Sequence, residues 1–349
     1  MKHKYTEQEL PNFLVGIRCM TYNHHDYIVD AMNGFTMQQT MFPFVAVIVD
    51  DASTDGEPEV ISNYVNEHFD QSPSSLFRQW ENDEAKYIFA QHKDNKNCYF
   101  GIVFLKTNYY SQKKSKESHI SQWLSDVKYI ALCEGDDYWI DPLKLQMQAN
   151  YMECHKDYSL CGTNGLVLWD FGEYEPHYFN RTFESRELQA EDIIGTWALP
   201  TASLFYRREI KENYPSWTKE IYSGDQSLIL ISLYRGRIFY FKETTCVYRK
   251  SSLNTTSLSN KTGNMYMCEQ HIKLYTFYNE WSGYKYSTII EKHIGELKDS
   301  IHREKRFAEY SSLRKKSWFQ PYLKMPMYAL KMLKHFCAIK WNQLVCVNI

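Results

Sequence analysis

Residues 132–142, LCEGDDYWIDP, put three carboxylates, Glu134, Asp136 and Asp137, into four positions directly after the apolar run VKYIAL. Adjacent carboxylates raise each other's pKa unless a cation neutralises them. Hard oxygen ligands favour magnesium or manganese, so Asp136 and Asp137 are the expected ligands of a divalent metal. An ion held by only one or two carboxylates completes its shell with water and substrate phosphates, and the expected ligand is then a nucleoside diphosphate carrier. Asp141 and Pro142 have a simpler explanation: Asp141 caps the helix DPLKLQMQANYM and Pro142 takes its first position.

A second acidic motif, DDASTDG at 50–56, closes the apolar run PFVAVIV. Asp51, Ser53, Asp55 and Gly56 match the first half of a calcium loop, but Ser62 stands at the twelfth position, where a bidentate Glu is required. A strand, in place of a helix, also precedes it. Ser53 or Asp55 can cap the helix that follows. Asp50 and Asp51 are explained by neither role.

The elements that must position these residues alternate in type. FLVGIRCMTYN (13–23) reads as a buried strand, DYIVDAMNGFTMQQ (26–39) as a helix with Ile28, Ala31, Met32 and Phe35 on one face, and 43–51 as a second strand. A second helix follows at 57–69, a third strand at 85–92 and a fourth at 127–137. Such interleaving predicts a mainly parallel sheet covered on both faces, with ligands at the carboxyl ends of its strands. Those ends carry TYN, DDASTDG, QHKDN and CEGDD, so the polar chemistry is expected to gather on one edge. The stretch 107–122 reads as a solvated connection or helix with no chemistry assigned. Beyond Tyr151 the pattern is mixed, with a helix at 224–236 and a strand at 237–249. No internal repeat is found.

Composition narrows the function classes. The chain has 349 residues, enough for a large core. Its 28 Tyr, 19 Phe and 9 Trp suit core packing and flat stacking surfaces alike. A formal charge of −2 and the absence of a zinc-knuckle, homeodomain or RNP-like pattern argue against nucleic acid as a partner. Nine cysteines, none in a C-x-x-C pair, read as reduced thiols of a cytoplasmic protein, and the sequons at Asn180 and Asn254 are discounted accordingly. The amino terminus has no signal-like apolar stretch, and no run reaches the roughly 18 apolar residues of a spanning helix. The expectation is a protein neither exported by that route nor integral to a membrane.

Taken in order, CMTYN, DYIVDAMNGFTMQQT, FPFVAVIVDDASTDG and YIALCEGDDYWIDPLKLQMQ closely resemble the catalytic domain of family 2 glycosyltransferases, over about residues 12–165 and more weakly to about 250. The resemblance implies an inverting enzyme of the GT-A fold, an α/β, Rossmann-like, mainly parallel sheet flanked by helices, here with a helical C-terminal extension. It also implies synthesis of bacterial cell-surface polysaccharide. By the resemblance, Thr21, Tyr22 and Asn23 together with Asp50, Asp51 and Ser53 hold the uracil or other base of a nucleotide-sugar donor, a UDP-sugar foremost. The D-x-D-like element matching Glu134, Asp136 and Asp137 binds the ribose and the metal on the diphosphate, with Asp136 and Asp137 as the expected metal ligands. Glu134 stands where many members have the first Asp and carries less weight. The catalytic domain is expected over 1–250, its nucleotide-binding half at about 12–145 and its acceptor half at about 146–250. Residues 251–349 form a helical, basic and aromatic region.

Transfer to an acceptor hydroxyl needs a group to take its proton, usually a carboxylate. Asp225, in a G-D-x-x-L-like context with Gly224 and Leu228, resembles the family's catalytic base. A favourable interaction with the helix dipole is its alternative role, and the two are compatible. Arg249, in VYRK, matches an element that serves the diphosphate, although Lys250 replaces the common His. Two other readings remain: a non-catalytic nucleotide-sugar binder of the same fold, and a glycoside hydrolase, which needs two carboxylates but neither the first acidic pair nor a diphosphate site.

After Glu309 there is no Asp or Glu, while Arg314, Lys315, Lys316, Lys324, Lys331, Lys334 and Lys340 accumulate among Trp318, Phe319, Tyr322, Tyr328, Phe336 and Trp341. Such a stretch suits either an interfacial helix on anionic headgroups or a helix packed on the catalytic domain. In the first case residues 310–349 touch the inner membrane surface peripherally, and the acceptor is a glycan or lipid-linked glycan at the cytoplasmic face.

Overall fold

A computed structural model of the chain describes residues 10–169, 174–182, 184–250 and 256–316. In chain order the elements are β1 (Val15–Thr21), α1 (Ile28–Thr36), β2 (Phe44–Asp50), α2 (Glu57–His68), β3 (Arg78–Glu81), β4 (Ala85–Gln91), β5 (Cys98–Leu105), α3 (Glu117–Leu124), β6 (Tyr129–Leu132) and β7 (Tyr138–Trp139). There follow α4 (Lys144–Cys154), β8 (Tyr158–Trp169), β9 (His177–Tyr178), β10 (Arg186–Leu188), α5 (Ala190–Ile193), β11 (Phe205–Arg207), α6 (Gly224–Arg235), β12 (Arg237–Lys250), α7 (Thr256–Trp281) and α8 (Ser287–Lys316).

The strands form one sheet in the order β10-β12-β8-β11-β6-β1-β2-β5-β4-β3, with β7 added to β12 and β9 to β8. At its centre β6, β1, β2 and β5 run parallel. Every residue of β2 is buried, as expected of a β-branched strand covered on both faces. Its alternation divides the core: Val45, Val47 and Val49 face Trp123 and the α6–α7 side, while Phe44, Ala46 and Ile48 face α1, α2 and α4. The expected face of α1, Ile28, Ala31, Met32 and Phe35, is buried there.

Three sequence expectations are corrected. The strand at 85–92 is not part of the parallel set: β4 runs antiparallel to β5, an eight-residue, fully buried strand that the sequence reading passed over. Six residues separate β4 from β5, and a parallel crossover needs a dozen or more. QHKDN therefore lies at the edge opposite the other strand tips, where Asn97 O accepts the amide of Phe44 at the start of β2. The solvated connection also contains structure, because α3 buries His119, Ile120, Trp123 and Leu124. Finally, α4 starts at Lys144, two residues beyond Pro142. Asp141 accepts the amide of Leu143 at 2.8 Å, a turn leading into the helix.

The helical C-terminal pair belongs to the same core. Leu274, Tyr275, Tyr278 and Ile290 are buried in the cluster that holds Leu228 and Ile231 of α6. No helix among the described residues is long and apolar enough to cross a membrane.

Candidate active site

Parallel pairing sets Thr21 at the tip of β1 beside Asp50 at the tip of β2. Beyond these tips the chain turns sharply, with Asn23 and Ala52 at φ of +56° and +62° and Gly56 at +92°. The two turns are laced together: Asn23 N–H donates to Ser53 Oγ at 2.9 Å, and Thr54 N–H donates to Asn23 Oδ1 at 2.8 Å. Asp55 accepts the amides of His25 and of Glu57, which opens α2. The N-cap of α2 is Gly56 with no side-chain cap, so in place of the expected capping by Ser53 or Asp55 this carboxylate makes the turn that leads into the helix. Tyr22 projects from this frame, 43% exposed.

Glu57 ties the frame from beneath. Fully buried, it accepts from the Thr21 hydroxyl, from His24 N–H at 3.0 Å and from the Ser53 hydroxyl at 2.8 Å. Sequence reasoning missed it, because an acidic residue in a first helical turn already has an explanation in the helix dipole.

The two carboxylates of the first pair differ. Asp51 accepts from Tyr109 N–H at 2.7 Å and Tyr110 N–H at 3.0 Å and pairs with Lys116 Nζ at 2.9 Å. It thus fastens the 107–116 segment, in which the sequence signalled no chemistry, to the tip of β2. Asp50 is equally buried, yet only its Oδ2 is engaged by a backbone amide, that of Ser53 at 3.3 Å, and its Oδ1 has no hydrogen-bond partner. Burial pushes its pKa up to about 6, against the partial relief of Ser53.

The acidic loop follows β6 and continues its ladder onto β1, with Cys133 N–H and Gly135 N–H donating to Arg18 O and Met20 O. Glu134 accepts the amide of Met20 at 3.1 Å. Burial raises its pKa to about 7, with Arg18 opposing and Asp136 adding to the shift. A Cβ at Gly135 would stand 2.2 Å from Thr21 Oγ1, so only glycine lets the loop lie this close to the β1 tip. Asp136 lies 3.9 Å from His24 Nε2, whose other ring nitrogen is 3.1 Å from Thr21 Oγ1. Asp137 is 3% exposed and accepts Arg249 N–H at 2.8 Å. Burial first, and then the charge of Asp136, push its carboxyl well above the usual range.

Arg249, near the end of β12, closes the loop from the other side. Its guanidinium donates to Asp136 O at 3.0 Å and Asp30 at 2.6 Å, between the rings of Tyr27 and Tyr138. Asp225 sits in the first turn of α6, half-buried. It accepts from the hydroxyls of Thr201 at 2.9 Å and Ser223 at 2.7 Å and from Gln226 N–H at 2.8 Å. Thr201 begins the short turn whose Ala202 O accepts the indole N–H of Trp139 at 2.8 Å, so Asp225 is linked to the strand that follows the acidic loop.

Among the described residues no three His, Cys, Asp or Glu side chains group to hold a metal. The chemistry of Asp136 and Asp137 fits an ion that takes its remaining oxygens from a bound diphosphate. Two adjacent carboxylates, one of them buried, are held where a cation would offset their repulsion.

A central parallel sheet with its acidic residues on neighbouring tips, antiparallel strands at both flanks and a helical C-terminal region is the GT-A fold of glycosyltransferases. Among solved structures, the mannosyltransferase PcManGT from Pyrobaculum calidifontis in complex with GDP-Man and Mn2+ matches 96% of this chain and 84% of its own, at 11% identity and a TM-score of 0.52. S. aureus TarS in complex with UDP-GlcNAc matches 81% of this chain and 71% of its own, at 16% identity and a TM-score of 0.52. In sequence, the uncharacterised proteins Rv1520 of Mycobacterium tuberculosis and Mb1547 of Mycobacterium bovis are 28% identical over 236 residues, 68% of this chain. The chain spans 58% of the length of these relatives. No family model matches.

Proposed function

We propose that the chain is a family 2-type glycosyltransferase that moves a sugar from a nucleotide diphosphate sugar to an acceptor hydroxyl by a single displacement with inversion. The observation that carries this reading is the convergence of Asp50, with its unpartnered buried oxygen, and the Asp136–Asp137 pair at the ends of β2 and β6, the two strands that flank β1 in a GT-A sheet. The UDP-GlcNAc in the TarS structure and the GDP-Man and Mn2+ in that of PcManGT support a nucleotide-sugar donor and a divalent ion. A UDP-sugar is the donor we favour.

In this mechanism Asp50 accepts an N–H of the base, with Thr21, Tyr22, Asn23, Asp51 and Ser53 shaping that end of the site. Asp136 and Asp137 are the residues that would hold manganese or magnesium, and a bound ion would supply Lewis-acid stabilisation to the leaving diphosphate. Arg249 keeps the loop of Asp136 and Asp137 in place and adds positive charge near the phosphates. Asp225, oriented by Thr201 and Ser223, takes the proton of the acceptor hydroxyl. We assign the protein to cell-surface polysaccharide synthesis on the cytoplasmic side, with a glycan or lipid-linked glycan as acceptor. Residues 310–349 provide the peripheral membrane contact; residues 317–349 lie outside the described residues.

Replacing Asp225 with Asn tests the reading. Turnover should fall by about 10²–10⁴-fold, while stabilisation by a nucleoside diphosphate with manganese is kept. Unchanged turnover would remove Asp225 from the role of base. Retained binding with no transfer by the parent protein would favour a non-catalytic nucleotide-sugar binder.

A further inference from the structure

Seven tryptophans lie among the described residues, and six of them, Trp80, Trp123, Trp139, Trp169, Trp217 and Trp281, pack against another aromatic ring. Trp197 has no ring partner among the described residues and is 46% exposed. A single exposed apolar ring is ordinary on a protein surface, so it is the setting of this one that identifies the surface it forms.

Its position gives that surface a purpose. Trp197 shares a small crevice with Thr196, Gln226 and Ile229, and Gln226 directly follows Asp225. The segment that presents it is anchored at each step. Gly195, at φ +85°, donates its N–H to the Tyr275 hydroxyl at 2.9 Å, and a Cβ there would meet His293 at 2.7 Å. The Thr196 hydroxyl is bound to Asp192 O, Ala198 O accepts from Asn180 Nδ2 at 2.7 Å, and Thr201 holds Asp225. A backbone held in this way need not be ordered on binding, and a two-torsion aromatic side chain loses little further freedom when a ligand settles on it. On α7, His271 Nε2 is buried without a hydrogen-bond partner, close enough to Asp225 and His293 to feel their charges.

We propose that Trp197 is the platform on which a pyranose ring of the acceptor glycan stacks, its hydroxyl rim turned toward Asp225. The C–H face of a pyranose is apolar while its rim is polar, and this matches an exposed indole beside Gln226, whose N–H donates to the Asp225 carboxylate. The assignment rests on the transferase reading and specifies the acceptor side of that site. It also gives the C-terminal helices a function, since Tyr275 of α7 and His293 of α8 set the turn that carries the indole.

Saturation-transfer NMR on the full chain tests it, with methyl glycosides of glucose, galactose, N-acetylglucosamine and mannose as probes. At least one glycoside should receive saturation at its ring C–H protons from the parent protein and from Trp197→Phe, and lose it with Trp197→Ala. Trp197→Leu, which keeps apolar bulk without a π-face, should lose it too and guards against an effect of lost packing. Equal saturation in Trp197→Ala and Trp197→Leu, or none in the parent protein, would overturn the proposal. A melting shift with UDP or GDP and manganese, recorded on the same samples, keeps the two readings apart. Its absence from the parent protein counts against the donor site alone, and its presence in Trp197→Ala shows an intact fold.

Discussion

Asp50 carries a charge that the unliganded protein solvates poorly. One of its oxygens is buried without a partner, and its pKa rises from 3.8 to about 6. Between those values the folded chain binds a proton that the unfolded chain has released. The contribution of Asp50 to stability is therefore complete below its ordinary pKa and is lost as pH rises through about 6. Asp50→Asn should then melt higher than the parent at pH 7.5, by up to about 3 kcal/mol, and the difference should vanish near pH 4. The same variant should lose the melting shift caused by a nucleoside diphosphate, as expected where stability is given up for binding. A lower melting temperature at pH 7.5 would show that the carboxylate is better satisfied than its surroundings indicate. The sequence made Asp50, Asp136 and Asp137 legible because no capping or turn role accounts for them. Glu57 and Lys116 escaped notice because each looks like an ordinary helix-end or surface charge until the chain brings it to a partner far away in sequence.

Among the elements, the loop between β6 and β7 depends on how closely it can approach β1. Gly135 lies against Thr21, where an added methyl would meet both Oγ1 and, at 2.6 Å, Cβ. Neither atom belongs to a flexible end, and Thr21 is itself tied to Glu57. Gly135→Ala should cost about 1–3 kcal/mol through overpacking, and by moving Asp136 and Asp137 it should abolish manganese-dependent nucleotide binding. Calorimetric titration of UDP with and without manganese checks this; full metal-dependent binding by the variant would mean that the loop yields without displacing its carboxylates. Periodicity and composition made most elements legible, including β1, β2, α1 and α2. They said nothing of direction, since a fully buried strand reads the same parallel or antiparallel. For β4 and β5 the short link was the available signal. For α3 the charged residues before it hid the apolar face of His119, Ile120, Trp123 and Leu124.

At the scale of the whole molecule, the C-terminal helices divide into a part bound to the catalytic body and a part beyond it. Among the described residues the buried side chains of α7 and α8 are those of Cys268, Leu274, Tyr275, Tyr278, Asn279 and Ile290, and the exposed Phe307 lies well past them. Removing residues 310–349 should therefore leave the fold intact, with the melting temperature and its nucleotide-induced shift close to those of the full chain. The deleted segment holds seven Lys and Arg and no acidic residue, and each such charge near an anionic surface contributes about 1 kcal/mol. The full chain should co-sediment with phosphatidylserine-containing vesicles, less so as salt shortens the Debye length, whereas the truncated chain should stay in the supernatant. Equal co-sedimentation of both forms would end the membrane assignment. A truncated form that melts early and no longer responds to nucleotide would place the same segment on the catalytic body instead, and its aromatic residues would then be core contacts in place of a lipid-facing surface.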